Sequence, residues 1–158
     1  MKHIYYILNH TEKICHRIRK CLYELNRELW RRKHNGNYAG KFKNRRAYDW
    51  SVEVTVYVRL DSRRAGVGKI LYHALEDSLK RIGVLNMNAC IACPKEEDEH
   101  LCNDSFYFHE KMGFHLVGTF HDCGYKFNTW YDMIWMEKII GEHQKHQRNV
   151  RYGEWTLE

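Results

Sequence analysis

The chain has 158 residues, 44% of them apolar and 14% aromatic, enough for one domain with a real core and too apolar for a disordered segment. No run of about 18 apolar residues is present to span a membrane. The first residues lack the basic, apolar and small-residue regions of a signal peptide, so a soluble, cytoplasmic protein is expected. The net charge of +6 is uneven: residues 1–50 hold 13 Lys/Arg against 4 Asp/Glu, which leaves the remainder net negative.

In chain order, His3–Leu8 can form a strand. From Thr11 the residues Ile14, Ile18, Leu22, Leu25 and Leu29 fall on one helical stripe, with Arg31, Arg32 and Lys33 in the last turn before Gly36. Residues 1–36 therefore read as a basic helical segment. Its cationic face is a solvated surface, a patch for nucleic acid or an acidic partner, or a source of long-range attraction for an anionic ligand. Val52–Val58 alternates strictly, with valines on one face and Glu53, Thr55 and Tyr57 on the other. A basic turn, Arg63-Arg64-Ala65-Gly66-Val67-Gly68-Lys69, leads into a helix. That helix carries Val67, Ile70, Leu71, Ala74, Leu75, Leu79 and Ile82 along one stripe and stops at Gly83.

Val84–Ala92 alternates as the next strand, ended by Pro94, and the acidic run 95–100 is a solvated loop. Asn103, Asp104 and Ser105 offer N-caps for a short helix through Met112, closed by Gly113. Phe114–His121 and Tyr131–Lys138 read as a final pair of strands, with Gly124–Asn128 as the turn between them. From Val52 the order is β-α-β-α-β-β, an α/β layer architecture. Residues 141–158 are expected to form a polar, loosely held tail.

The six cysteines (15, 21, 90, 93, 102 and 123) are expected to be reduced and buried. Cys90 and Cys93, followed by His100, Cys102 and His109, have a faint zinc-site spacing. In a strand, however, Cys90 and Cys93 point to opposite faces, so no metal site is expected.

The chemistry is concentrated in the strand–turn–helix. The first N–H groups of a helix lack intrahelical partners and form the positive end of its dipole, where phosphate is favoured. Gly66 and Gly68 allow close approach, and Arg63, Arg64 and Lys69 add charge. The turn is not a P-loop, because Arg63 and Ile70 occupy the first and last defining positions. Nor is it the dinucleotide fingerprint, because Leu71 stands where the third glycine belongs.

Four segments carry a family likeness. They are Tyr48-Asp-Trp-Ser-Val-Glu-Val-Thr-Val-Tyr-Val58, Arg63-x-x-Gly66-x-Gly68, Ser105-Phe-Tyr-Phe-His-Glu-Lys-Met-Gly-Phe114 and Gly124-Tyr-Lys-Phe-Asn-Thr-Trp-Tyr-Asp132. Over residues 37–140 the chain resembles the Gcn5-related N-acetyltransferases, and more narrowly their bacterial phosphinothricin acetyltransferase-like branch. The resemblance implies a mixed, mostly antiparallel sheet flanked by helices, and transfer of acetyl from acetyl-CoA to the amine of a small amino-acid-like substrate. It implies that the Arg63–Lys69 turn holds the cofactor pyrophosphate. It further implies that Val56, Tyr57 and Val58 pair with the pantetheine arm and that Asn103 touches the cofactor.

Direct attack on the thioester needs a base, since an α-ammonium is mostly protonated at neutral pH. Glu53 is the candidate base, and His109, common at that position in this branch, is the candidate acid. An acceptor bearing a carboxylate and a phosphinyl or sulfoximine group calls for cations and aromatic walls: Arg45, Arg46 and Lys126, with Tyr48, Trp50 and Trp130. Phe127 departs from the histidine that relatives often carry there.

Residues 1–36 do not read like the family, which places a strand, two helices and two more strands there. With those strands missing, Val52–Val58 would be an unprotected edge and a route to a homodimer. The competing functional reading is a basic module that binds nucleic acid or an acidic protein on an impaired acetyltransferase scaffold. Against it, the chain shows no recognised nucleic-acid motif.

Overall fold

The computed structural model describes residues 36–58 and 63–152. The strand expected at His3–Leu8 and the helix expected from Thr11 lie outside them. The described elements are β1 (Gly36–Lys41), a 3-10 turn (Arg46–Tyr48), β2 (Ser51–Tyr57), α1 (Val67–Ile82), β3 (Asn86–Cys93), α2 (Asp104–Lys111), β4 (His115–Lys126) and β5 (Thr129–Ile139). The expected α/β class and mostly antiparallel sheet are borne out: five strands run in the order β1-β2-β3-β5-β4, and β2–β3 is the one parallel pair.

The alternation read in β2 decides which face is buried. Val52 and Val54 turn inward while Glu53, Thr55 and Tyr57 stay half-exposed. On the inward face Ala39, Val52, Val54, Met87, Ala89, Ile91, Ile134 and Met136 meet Tyr72, Leu75, Leu79 and Ile82 of α1, together with Phe114. The helix ends as expected at Gly83 (φ +90). There Gly83 N–H donates to the Lys80 carbonyl and Val84 N–H to the Leu79 carbonyl, a Schellman closure that needs a left-handed residue.

Several expectations need correction. Ile70 is exposed and Tyr72 is fully buried, because α1 packs against α2 as well as the sheet, which rotates its apolar stripe. The β4–β5 turn is only Phe127 and Asn128, at φ +53 and +57. This two-residue type I′ geometry lets Gly124–Lys126 continue the strand. β2 is not an edge, since β1 pairs with it from Gly36↔Tyr57 to Lys41↔Val52. Among the described residues the edges are β1 and β4.

The segment after Gly141 is not loose up to Tyr152. Arg151 N–H donates to the Ile82 carbonyl (2.8 Å), the Trp50 indole to the Arg148 carbonyl (2.7 Å), and the Tyr152 hydroxyl to the Asp49 carbonyl. Cys15 and Cys21 lie outside the described residues, and the four described cysteines are less buried than expected: Cys90 and Cys123 are exposed, and Cys93 and Cys102 are half-exposed. Among the described residues no three His, Cys, Asp or Glu side chains come together to hold a metal. No helix among them is long and apolar enough to cross a membrane.

Candidate active site

The sheet is forked. β2 and β3 pair only at Ser51↔Asn86, Val52↔Met87 and Glu53↔Asn88, although β2 runs on to Tyr57 and β3 to Cys93. At the apex Asn88 Nδ2 donates to the Val52 carbonyl (3.1 Å), satisfying a backbone acceptor where the ladder stops. Past Glu53 the β2 backbone groups that face β3 have no partner in that strand. The result is an open slot edged by Val54–Tyr57 on one side and Cys90–Cys93 on the other.

The start of α1 carries the expected turn. Gly66 takes φ +77 and Arg64 φ +62, both left-handed. The first helical bond is Ile70 N–H to the Gly66 carbonyl (3.1 Å), so the N–H groups of Val67, Gly68 and Lys69 precede the ladder and, among the described residues, are open to an anion. Arg63, Arg64 and Ala65 are exposed around them. Gly68 is required by packing: a Cβ there would lie 3.1 Å from the Phe108 ring and 3.4 Å from Val58 Cγ2. Val58 thus touches the helix start, while Val56 packs against the core and burial pushes the Tyr57 hydroxyl pKa up. Asn103 precedes α2 and accepts the Cys93 thiol at 3.0 Å through Oδ1.

Glu53 sits at the apex on the face away from the helices. Its β1 partner is Gly40, which adds no side chain beside it. Burial raises the Glu53 pKa above the usual carboxylate range, and the nearby Lys43 charge partly offsets this. Cys90 lies close on the same face. Its surrounding strands still desolvate the exposed thiol, and with Glu53 and Cys123 they hold its pKa at about 11. Phe42 packs edge-on against Trp135 (5.5 Å between centroids) and Tyr48 (6.5 Å), with Lys43 Nζ 4.9 Å over its ring.

An aromatic floor of Phe42, Tyr48 and Trp135 with one cation therefore adjoins the carboxylate. Sequence reasoning found only Tyr48 and Glu53 of this set. Phe42 and Lys43 precede the recognised strand segment, and Trp135 reads in sequence as another strand aromatic.

The expected acceptor residues do not form one group. Arg45 and Arg46 are exposed on the 3-10 turn near Tyr48, and Trp50 is engaged with the Arg148 carbonyl. Trp130 and Lys126 are at the tip of the β4–β5 hairpin, where Trp130 packs on Tyr125 (4.8 Å) and Lys126 lies over Phe127 (5.0 Å). Five steps along the strand, about 17 Å, separate Trp130 from Trp135. His109 is also elsewhere. It is 7% exposed, its Nδ1–H donates to the Ser105 carbonyl (2.6 Å), and its Nε2 accepts the Tyr72 hydroxyl (2.7 Å). Desolvation lowers its pKa, opposed by the Ser105 bond. Nδ1 is thus tied within α2 and Nε2 to α1, so both nitrogens are engaged.

Known proteins share this architecture. A phosphinothricin N-acetyltransferase of Streptomyces viridochromogenes is 38% identical over 96 residues, 61% of this chain and 49% of that protein. A methionine sulfoximine/methionine sulfone acetyltransferase of Pseudomonas aeruginosa is 32% identical over 87 residues, 55% of this chain and 46% of that protein. The chain spans about half the length of these relatives. The solved phosphinothricin acetyltransferase of Sinorhizobium meliloti, a complex with AcCoA, superposes with a TM-score of 0.64 at 29% identity over 76% of this chain and 62% of that one. The acetyltransferase (GNAT) domain family matches residues 6–135, so its pattern reaches into the amino-terminal segment that the sequence reading set apart. The chain belongs to the acetyltransferase (GNAT) domain family.

Proposed function

We propose that this chain is an N-acetyltransferase that moves an acetyl group from acetyl-CoA to the amine of a small amino-acid-like acceptor, of the phosphinothricin or methionine sulfoximine type. The observation that carries the reading is the fork between β2 and β3, with the open helix start at its mouth and Glu53 at its apex. The chain's residues fit that cosubstrate. The N–H groups of Val67, Gly68 and Lys69, which have no partner among the described residues, with Arg63, Arg64 and Ala65 around them, suit a diphosphate. The free backbone edge at Val56 and Tyr57 suits an amide-containing arm, with Val58 and Asn103 flanking it. Acetyl-CoA supplies the activated thioester.

Glu53 then takes a proton from the acceptor ammonium, directly or through water, leaving the nitrogen lone pair free to attack. Its raised pKa makes it a stronger base than an ordinary carboxylate, and the Lys43 charge favours the ionised form. Lys43, Arg45 and Arg46 offer charge to the acceptor's acidic groups, while Phe42, Tyr48 and Trp135 form its floor. Trp50, Lys126 and Trp130 enter as more distant residues, and His109, engaged at both nitrogens, is left out as the acid.

The test is thiol release from acetyl-CoA with phosphinothricin, methionine sulfoximine, methionine sulfone and plain amino acids. Turnover confined to the phosphinyl and sulfoximine compounds is expected. Thiol release no faster with any amine than without one would end the proposal.

A further inference from the structure

We propose that Cys93 is a positioning residue for acetyl-CoA, its thiol holding the Asn103 amide so that Nδ2 faces the cosubstrate; this rests on the acetyl-CoA reading above. Cys93 is the last residue of β3, the strand that forms one wall of the fork. Its Sγ lies 3.0 Å from Asn103 Oδ1.

An asparagine at a helix start ordinarily caps that helix with its side chain, and Asn103 makes no such bond. Its backbone is instead fixed at both polar groups: the N–H donates to Glu97 Oε1 (2.9 Å) and the carbonyl accepts Tyr107 N–H (3.2 Å). Among the described residues the side chain is thereby left to be oriented by Cys93 alone. Burial first, and then the Asp132 carboxylate opposite in β5, raise the Cys93 thiol pKa and keep it a donor. The S–H has two acceptors within reach, Asn103 Oδ1 at 3.0 Å and the Pro94 carbonyl at 3.9 Å, and donates to the nearer Oδ1, so the two Nδ2 protons point away from the sulfur. Among the described residues nothing accepts them. A carbonyl of the cosubstrate is the acceptor they suit.

Calorimetric binding of acetyl-CoA, paired with steady-state kinetics, tests this in wild type, Cys93→Val, Cys93→Ser, Asn103→Ala and the Val/Ala double variant. Valine keeps the volume and removes the donor, while serine keeps the donor. Cys93→Val is expected to weaken binding about fivefold, the worth of one ordinary hydrogen bond, and to raise KM for acetyl-CoA while leaving kcat within about twofold. Serine should restore binding, and valine should have no further effect once Asn103 is alanine. Unchanged affinity in Cys93→Val, or the same loss with and without Asn103, would overturn the proposal. Wild-type protein that gives no binding heat with acetyl-CoA would instead overturn the acetyl-CoA reading itself.

Discussion

Glu53 shows how a single residue takes its chemistry from its neighbours. The strand alternation alone placed it opposite the buried valines. Its titration depends on burial and on Lys43, which sequence reasoning did not include because it lies ten residues away across the β1–β2 connection. Replacing Glu53 with Gln should lower kcat about 10²- to 10⁴-fold, the usual worth of a positioned base. The wild-type rate should rise with pH through the raised carboxyl pKa, since only the ionised form accepts a proton. Lys43→Met removes the charge that opposes desolvation, so this limb should move to higher pH. A kcat/KM profile of Lys43→Met that overlays wild type would remove Lys43 from the site.

His109 is a second case at the same scale. The sequence placed it on a short helix where family likeness suggested an acid, but the Tyr72 hydroxyl that occupies Nε2 comes from α1, 37 residues earlier. The consequence is for stability. Its native pKa is depressed by burial, so on acidification the unfolded chain takes up a proton near pH 6.5 that the folded protein refuses. Stability is complete above about pH 6.5 and is lost as pH falls from there towards the depressed native value, by about 1.4 kcal/mol for every pH unit that separates the two. Urea unfolding at pH 8 and pH 5.5 should show a smaller acid loss in His109→Gln than in wild type, even though the variant starts less stable. Equal losses would show that His109 does not titrate on unfolding.

At the level of elements, α1 was the most legible part of the chain. Its capping glycine, most of its buried stripe and its basic start all follow from local spacing. The rotation of the stripe onto Tyr72 did not, because it depends on where α2 packs. Gly68 joins the two scales, reading in sequence as one glycine of a phosphate turn and in the fold as the point where Val58, Phe108 and the helix backbone converge. Gly68→Ala therefore forces the Phe108 ring aside. That ring is backed by Tyr72, with 5.6 Å between centroids, and cannot yield freely. The variant should raise KM for acetyl-CoA about threefold, by moving the first helical N–H groups a few tenths of an ångström, a fraction of the roughly 1 Å displacement that costs a positioned site about 100-fold. The fork itself was not legible. Period-2 alternation marks both strands but carries no information on where their shared ladder stops.

For the whole molecule, the misplaced edge changes the expectation for assembly. β2 was to be the open strand, but β1 covers it, and among the described residues the edges are β1 and the longer β4. β4 is twelve residues long and leaves Leu116, Val117, Phe120 and Tyr125 each more than half exposed. A long edge of this kind is ordinarily blunted by lysines, proline, bulges or a covering element; β4 has one lysine, at its last position, and two register shifts, at Leu116/Gly118 and Phe120/Gly124, that interrupt it. We therefore place the expected homodimer contact on β4, with two copies pairing edge to edge. Light scattering of the full chain should give a dimer mass that falls to the monomer in Phe120→Lys, which would bury a charge at the contact. The substitution lies on an exposed side chain, so the melting temperature measured at low protein concentration should change little. A wild-type mass that stays monomeric up to the highest soluble concentration would remove β4 as an assembly surface, and an unchanged dimer in Phe120→Lys would move the contact to another face.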